Sequence, residues 1–310
     1  MISRSMHAIL HALSYGNIEV ESSRRLVDIK KLDAIRIFLK KLDEKVYNGD
    51  YEVPIRLYFP SEEAMKKGME EQQEYPVLLF FHGGGWVTES VDTYNRVCAR
   101  MAQSTGQIVV SVEYRLAPEY RFPTALLDCY AAAEALYGGK LSLKTSPKKI
   151  TVMGDSAGGN LAAAVSIMAR NRGDFTVKRQ ILIYPATAAD HSETSPFPSV
   201  HENGTDYLLT SKRVCDYMDL YRSGDEDLHN PYFAPLQAAD FRDQPDTLII
   251  TAEYCPLRDE AEEYGHRLMK AGNRVTIRRI PDALHGYFSL PARFVQVKRT
   301  YEIINRFLKG

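Results

Sequence analysis

"KITVMGDSAGGN", residues 149–160, decides how the rest of the chain is read. A β-rich run ends in G-x-S-x-G and gives way at once to the helical spacing of "AGGNLAAAVSIMARN" (157–171). A sharp strand-to-helix turn of this kind pushes a serine side chain out at the carboxyl edge of a sheet. Glycines at 154 and 158 keep Cβ atoms out of a crowded turn, and the free N–H groups of the new helix face negative charge developing beside it. Ser156 is therefore the candidate nucleophile. The blander readings are a structural turn and a phosphate loop, and the second lacks the Lys-Ser/Thr ending that such a loop needs.

The same alternation of strand and helix extends in both directions. Candidate strands are "VPIRLYF" (53–59), "PVLLFFH" (76–82), "QIVVSVEY" (107–114), "RQILIY" (179–184), "DTLIITAEY" (246–254) and "RVTIRRI" (274–280), several apolar throughout. "TALLDCYAAAEALYG" (124–138), "DEAEEYGHRLMKAG" (259–272) and "ARFVQVKRTYEIINRFLK" (292–309) carry helical spacing. Asp259 and Glu262 are spaced as a capping box, and Gly272 as a helix stop. The expected class is α/β, a mostly parallel central sheet flanked by helices. Residues 1–45 look helical and charged. Residues 187–235 form a polar insertion between two strands, long enough to serve as a lid or binding loop.

A second motif, "HGGGW" (82–86), ends the strand 76–82. Three successive glycines let the backbone approach a ligand and aim its amides at one spot, as stabilisation of an oxyanion requires; the alternative is a flexible turn. Of eight histidines, His285 in "PDALHGYF" follows the last candidate strand and is the candidate base. His82 braces the glycine loop. His7, His11, His191, His201, His229 and His266 fall in cap or helical segments and are read as solvated or packing residues.

Composition narrows the partners. With 45% apolar residues over 310 positions and a net charge of -1, the chain can bury a large core and has no basic field to attract nucleic acid or an anionic membrane. A small molecule is the expected partner. Four cysteines, Cys98, Cys129, Cys215 and Cys255, lie far apart without a CxxC, giving neither a disulfide framework nor a zinc ligand set. Reduced thiols and a cytoplasmic location are expected, without a metal. No window approaches 18 uninterrupted apolar residues, and the first residues lack a cleavage site typical of a signal peptide.

Taken together, "HGGGW", "YRLAPE" (114–119) with "FPTAL" (122–126), "GDSAGGN" (154–160), "LRDE" (257–260) and "LHGYF" (284–288) resemble the hormone-sensitive-lipase-like esterases of the α/β-hydrolase superfamily. "ENGTDYLLT" (202–210) and "NPYFAPL" (230–236) are similar to that family's cap. The resemblance implies a catalytic domain over 46–186 and 236–310, with a helical cap from 1–45 and 187–235. It implies hydrolysis of short-chain carboxylic esters, acetyl to hexanoyl, with no cofactor. Ser156 would be the nucleophile, His285 the base, and the amides of Gly83, Gly84 and Ala157 the oxyanion donors. Many members form dimers, so a homodimer is admitted as well. Trp86, the only tryptophan, either lines the substrate pocket or packs in the core.

One departure stands out. Where the family reads "DPLRDE", this chain reads "CPLRDE", which puts Cys255 in the slot of the triad acid. That acid holds the imidazole in the tautomer that accepts the serine proton and stabilises the imidazolium; in serine proteases neutralising it costs about 10⁴ in kcat. A neutral thiol accepts weakly. Asp259 and Glu253 are the substitute acids that the sequence offers nearby, Asp282 a more distant one. A lost acid is also how an esterase scaffold would begin to turn into a non-catalytic binding protein, which is the alternative reading.

Overall fold

Val77–Phe81 (β3, VLLFF) and Ile108–Val112 (β4, IVVSV) are buried at every position, as strands covered on both faces must be. In the computed structural model, which describes Val20, Glu21, Ser23, Arg24 and residues 41–71 and 73–310, they lie inside one eight-stranded sheet. The other strands are β1 (Lys41–Asn48), β2 (Tyr51–Tyr58), β5 (Ile150–Asp155), β6 (Arg179–Ile183), β7 (Asp246–Tyr254) and β8 (Val275–Leu284). Their order is β1-β2-β4-β3-β5-β6-β7-β8. The pairs β1/β2 and β2/β4 are antiparallel and the rest parallel, so the expected mostly parallel α/β sheet is what forms.

The helices that bear on the site are α1 (Asn95–Thr105), α2 (Thr124–Tyr137), α3 (Ala157–Arg172), α4 (Pro198–Glu202), α5 (Ser211–Tyr221), α6 (Arg258–Lys270) and α7 (Val295–Lys309). Helix α3 packs on β3, β5 and β6 and against α2, while α1 packs on β4 and against α7. Helix α3 is buried along almost its whole length, from Ala157 to Ala169, which its run of alanines and glycines permits by letting it sit close to the sheet. Because β3, β5, β6, β7 and β8 run in one direction, the segments leaving their carboxyl ends converge on one edge of the sheet, where α/β proteins place their sites.

Several boundaries differ from the sequence reading. Strand β1 starts at Lys41, so residues 41–45 belong to the sheet and not to a cap; its half-exposed, alternating edge pattern lacks the apolar run that marks the inner strands. The rest of the proposed amino-terminal cap, including His7 and His11, lies outside the described residues apart from Val20, Glu21, Ser23 and Arg24. Helix α6 begins at Arg258 with Leu257 as its N-cap, so Asp259 sits in the first turn and does not cap it. Strand β8 runs on to Leu284 because its pairing with β7 resumes, past an irregularity at Ala252/Tyr254, with Tyr254 opposite Leu284. The next residues in the two strands are Cys255 and His285.

Candidate active site

Ser156 follows β5 directly and caps α3 with φ 55° and ψ −121°, a left-handed conformation that a non-glycine residue adopts only under constraint. The constraint is visible in the packing around the turn. A Cβ on Gly158 would lie 2.0 Å from the Phe81 carbonyl oxygen, and one on Gly154 would lie 2.1 Å from the Gly158 oxygen. Only glycine lets α3 close onto β3 and β5 here. The Ser156 N–H is held by the Ile183 carbonyl at 2.9 Å, and its Oγ lies 2.8 Å from Nε2 of His285.

The "HGGGW" loop leaves β3 beside this turn. Its first glycine is not positioned as expected: the Gly83 N–H donates to Oδ1 of Asp155 at 2.9 Å, which removes it as an oxyanion donor. Gly84 and Gly85 instead line the cavity beside Ser156 and Ala157, and the N–H groups of Gly84 and Gly85 have no acceptor among the described residues. Both have positive φ, 114° and 61°, and neither could carry a side chain, since a Cβ would meet Thr88 O at 2.3 Å or the Tyr217 ring at 2.6 Å. Asp155, fully buried under the nucleophile, also accepts from the Tyr94 hydroxyl at 3.0 Å and the Tyr184 hydroxyl at 3.4 Å. Burial pushes its carboxyl up to about 7 against the pull of those hydrogen bonds. His82 braces the loop, its Nδ1 2.7 Å from the Gly83 oxygen and its ring stacked on Tyr114 at 4.3 Å.

His285 lies against the Tyr184 ring, with centroids 4.6 Å apart. Its Nδ1 is 3.1 Å from the sulfur of Cys255, so the thiol occupies the position opposite Ser156. Cys255 is completely buried, and burial pushes its thiol well up and out of the range in which a thiolate forms at neutral pH. Burial also lowers the imidazole to about 3, and no neighbouring charge contributes to that shift. A carboxylate within reach of the ring would raise it.

The substitute acids are engaged elsewhere. Asp259 accepts the Ser199 N–H at 2.7 Å and pairs with Arg258, tying α6 to α4. Glu253 accepts the Asp282 N–H at 2.7 Å, and Asp282 itself is exposed. Neither Asp259 nor Glu253 is a hydrogen-bond partner of His285. His191, expected to be solvated or a packing residue, is the latter: it is buried, with Nε2 2.5 Å from Glu260. The other Glu260 oxygen accepts the N–H groups of Thr187 and Ala188, so α6 pins the start of the insertion. "LRDE" carried that signal, but the partner histidine is 69 residues away and nothing in the sequence joins them. The partners of Asp155 are likewise distant in the chain, Tyr94 and Gly83 before it and Tyr184 after it, and no motif links them.

A cavity of about 850 Å³ opens over Ser156 and His285. The insertion contributes Leu208, Leu209, Val214 and Tyr217 to its wall, and the segment after β8 contributes Leu290 and Phe294. Trp86 both lines the cavity and packs in the core: it touches the cavity, yet is 3% exposed and stacked on Tyr221 at 4.7 Å. Among the described residues no cluster of ligand-type side chains suits a metal ion, and no helix is long and apolar enough to cross a membrane.

Residues 78–289 match a family model described as the alpha/beta hydrolase fold. An arylesterase from Saccharolobus solfataricus is 35% identical over 256 residues, covering 82% of this chain and 79% of that one. The chain belongs to the hormone-sensitive-lipase-like carboxylesterase family of α/β-hydrolases. Another relative of this hydrolase, Esterase LipI from Mycobacterium tuberculosis, is 39% identical over 219 residues, 70% of this chain and 67% of its own. Among solved structures, the Pyrobaculum calidifontis esterase superposes with a TM-score of 0.85 at 34% identity, covering 100% of this carboxylesterase-family chain and 98% of its own.

Proposed function

We propose that this carboxylic ester hydrolase works through an acyl-enzyme on Ser156, with His285 as its general base and the N–H groups of Gly84, Gly85 and Ala157 as oxyanion donors. The observation that carries the reading is the 2.8 Å contact between Ser156 Oγ and His285 Nε2 at the floor of the cavity. Oγ attacks the ester carbonyl as Nε2 takes its proton, the carbonyl oxygen becomes an oxyanion beside the glycine amides, and the proton passes to the departing alcohol. Water repeats the sequence on the acyl-enzyme. Substitution of glycine 83 by glycine 85 in the donor set follows from the Asp155 hydrogen bond.

Residues 187–235 act as a cap in this reading, since they wall the cavity above the nucleophile. Small acyl groups, acetyl to hexanoyl, are the proposed substrates on the family resemblance. Cys255 makes the enzyme slower than a carboxylate in the same place would. The test is hydrolysis of p-nitrophenyl esters from acetate to dodecanoate by the full chain and by Ser156→Ala. Serine-dependent turnover that peaks at or below hexanoate supports the reading; tight ester binding without serine-dependent turnover would make the protein a binder.

A further inference from the structure

A carboxylate in the acid slot holds no hydrogen and can only accept from the imidazole. The thiol of Cys255 is different, because it brings a hydrogen of its own. Its sulfur lies 3.1 Å from His285 Nδ1. Among the described residues, that nitrogen is the one acceptor within reach of the S–H. On the other side of the ring, Ser156 Oγ is 2.8 Å from Nε2 and lines the open cavity.

Three hydrogens must be placed on this row: one on Oγ, one on the ring, one on sulfur. If Nδ1 carries the ring hydrogen, it donates to a weakly accepting sulfur and the S–H is left buried with no acceptor. If Nε2 carries it, the S–H donates to Nδ1, Nε2–H donates to Oγ, and the serine O–H turns into the cavity, so every hydrogen has somewhere to go. We infer that Cys255 inverts the hydrogen bond of the acid slot, donating to His285 and storing it as the Nε2–H tautomer, which cannot accept the serine proton. This rests on the reading of Ser156 and His285 as nucleophile and base.

Turnover then requires a tautomer exchange before attack: water entering the cavity takes the proton from Nε2, water delivers one to Nδ1, and the S–H rotates away, with no net change in charge. Cys255 is a positioning residue that holds the base in its idle form. A thiol that merely filled space would not select a tautomer.

Nitrogen-15 NMR of histidine-labelled full chain at neutral pH reads the tautomer directly, with the His285 signals assigned by their loss in His285→Gln. The expected result is an unprotonated-type resonance at Nδ1 in the native protein and at Nε2 in Cys255→Asp. Kinetically, Cys255→Ala raises kcat/KM above the native value, because nothing then holds the base in its idle tautomer. An unprotonated Nε2 in the native protein, or a loss of about tenfold or more in Cys255→Ala, overturns the inference, since the sulfur would then be acting as an acceptor in the acid's place. The spectrum stands even if Cys255→Asp does not fold. If Ser156→Ala retains full hydrolysis, the acyl-enzyme reading fails, while the NMR result still decides the tautomer.

Discussion

The sulfur of Cys255 and Nδ1 of His285 face each other at 3.1 Å because Tyr254 and Leu284 pair across β7 and β8, which brings the next residue of each strand side by side. The strand register, not the local motif, makes position 255 the partner of the base. A carboxylate there would face the same nitrogen.

Cys255→Asp is therefore expected to raise kcat/KM by one to several decades, bounded by the roughly 10⁴ that a triad acid supplies in serine proteases. Asp259→Asn and Glu253→Gln are expected to leave kcat/KM within about threefold, because their carboxylates hold the Ser199 and Asp282 backbone. Steady-state kinetics on p-nitrophenyl butyrate check both. Collapse of turnover in either variant would show that a carboxylate reaches the ring after all.

The pH dependence follows from His285. Its value in the folded protein, about 3, lies below the ordinary value of 6.5. Between those pH values the unfolded chain binds a proton that the folded chain does not, so this group makes stability fall as pH drops from 6.5 toward 3 and adds no slope above 6.5. The base also stays unprotonated over that window. The acid limb of kcat/KM should accordingly lie well below pH 6, and Cys255→Asp should move it upward, since an anion beside the ring raises its pKa. A native acid limb near 6.5 would contradict the burial argument.

Asp155 holds the glycine loop through Gly83 and is itself held by Tyr94. Asp155→Ala releases the loop and misplaces the amides of Gly84 and Gly85. Expected is a fall in kcat of about 10²-fold, the scale of losing one oxyanion donor, with KM little changed. An unchanged kcat would mean that Gly83 does not position its neighbours.

Glu260→Ala removes three hydrogen-bond partners at once, the two backbone N–H groups of Thr187 and Ala188 and the ring of His191. Loss of one member of such a buried polar network costs about 3–5 kcal/mol. Chemical denaturation should show a free energy of unfolding lower by that amount, and a change under about 1 kcal/mol would mean that the insertion is anchored elsewhere.

What could be read from the sequence were features that local chemistry dictates. The turn at Gly154–Gly158 announces itself because no other residue type fits between β5, α3 and the Phe81 carbonyl. The inner strands show as unbroken apolar runs for a similar reason, while β1, at the edge and half-exposed, has no such mark. Helix α1 buries Val97, Cys98, Met101 and Ala102, yet its polar residues break the apolar stripe into pieces too short to mark a helix in the sequence. The choice between Gly83 and Gly85 depends on where Asp155 points, 72 residues away. Likewise the company of Asp259 and Glu253 is decided by α4 and the bend at Asp282, and spacing along the chain carries no record of either.

The central claim is a covalent ester between substrate acyl group and Ser156. Rapid acid quench of the full chain during turnover of p-nitrophenyl butyrate, followed by intact and peptide mass spectrometry, tests it most directly. A butyryl mass increment confined to the peptide carrying Ser156, absent in Ser156→Ala, is the predicted result. Continued hydrolysis by Ser156→Ala, or an adduct on another residue, would contradict it.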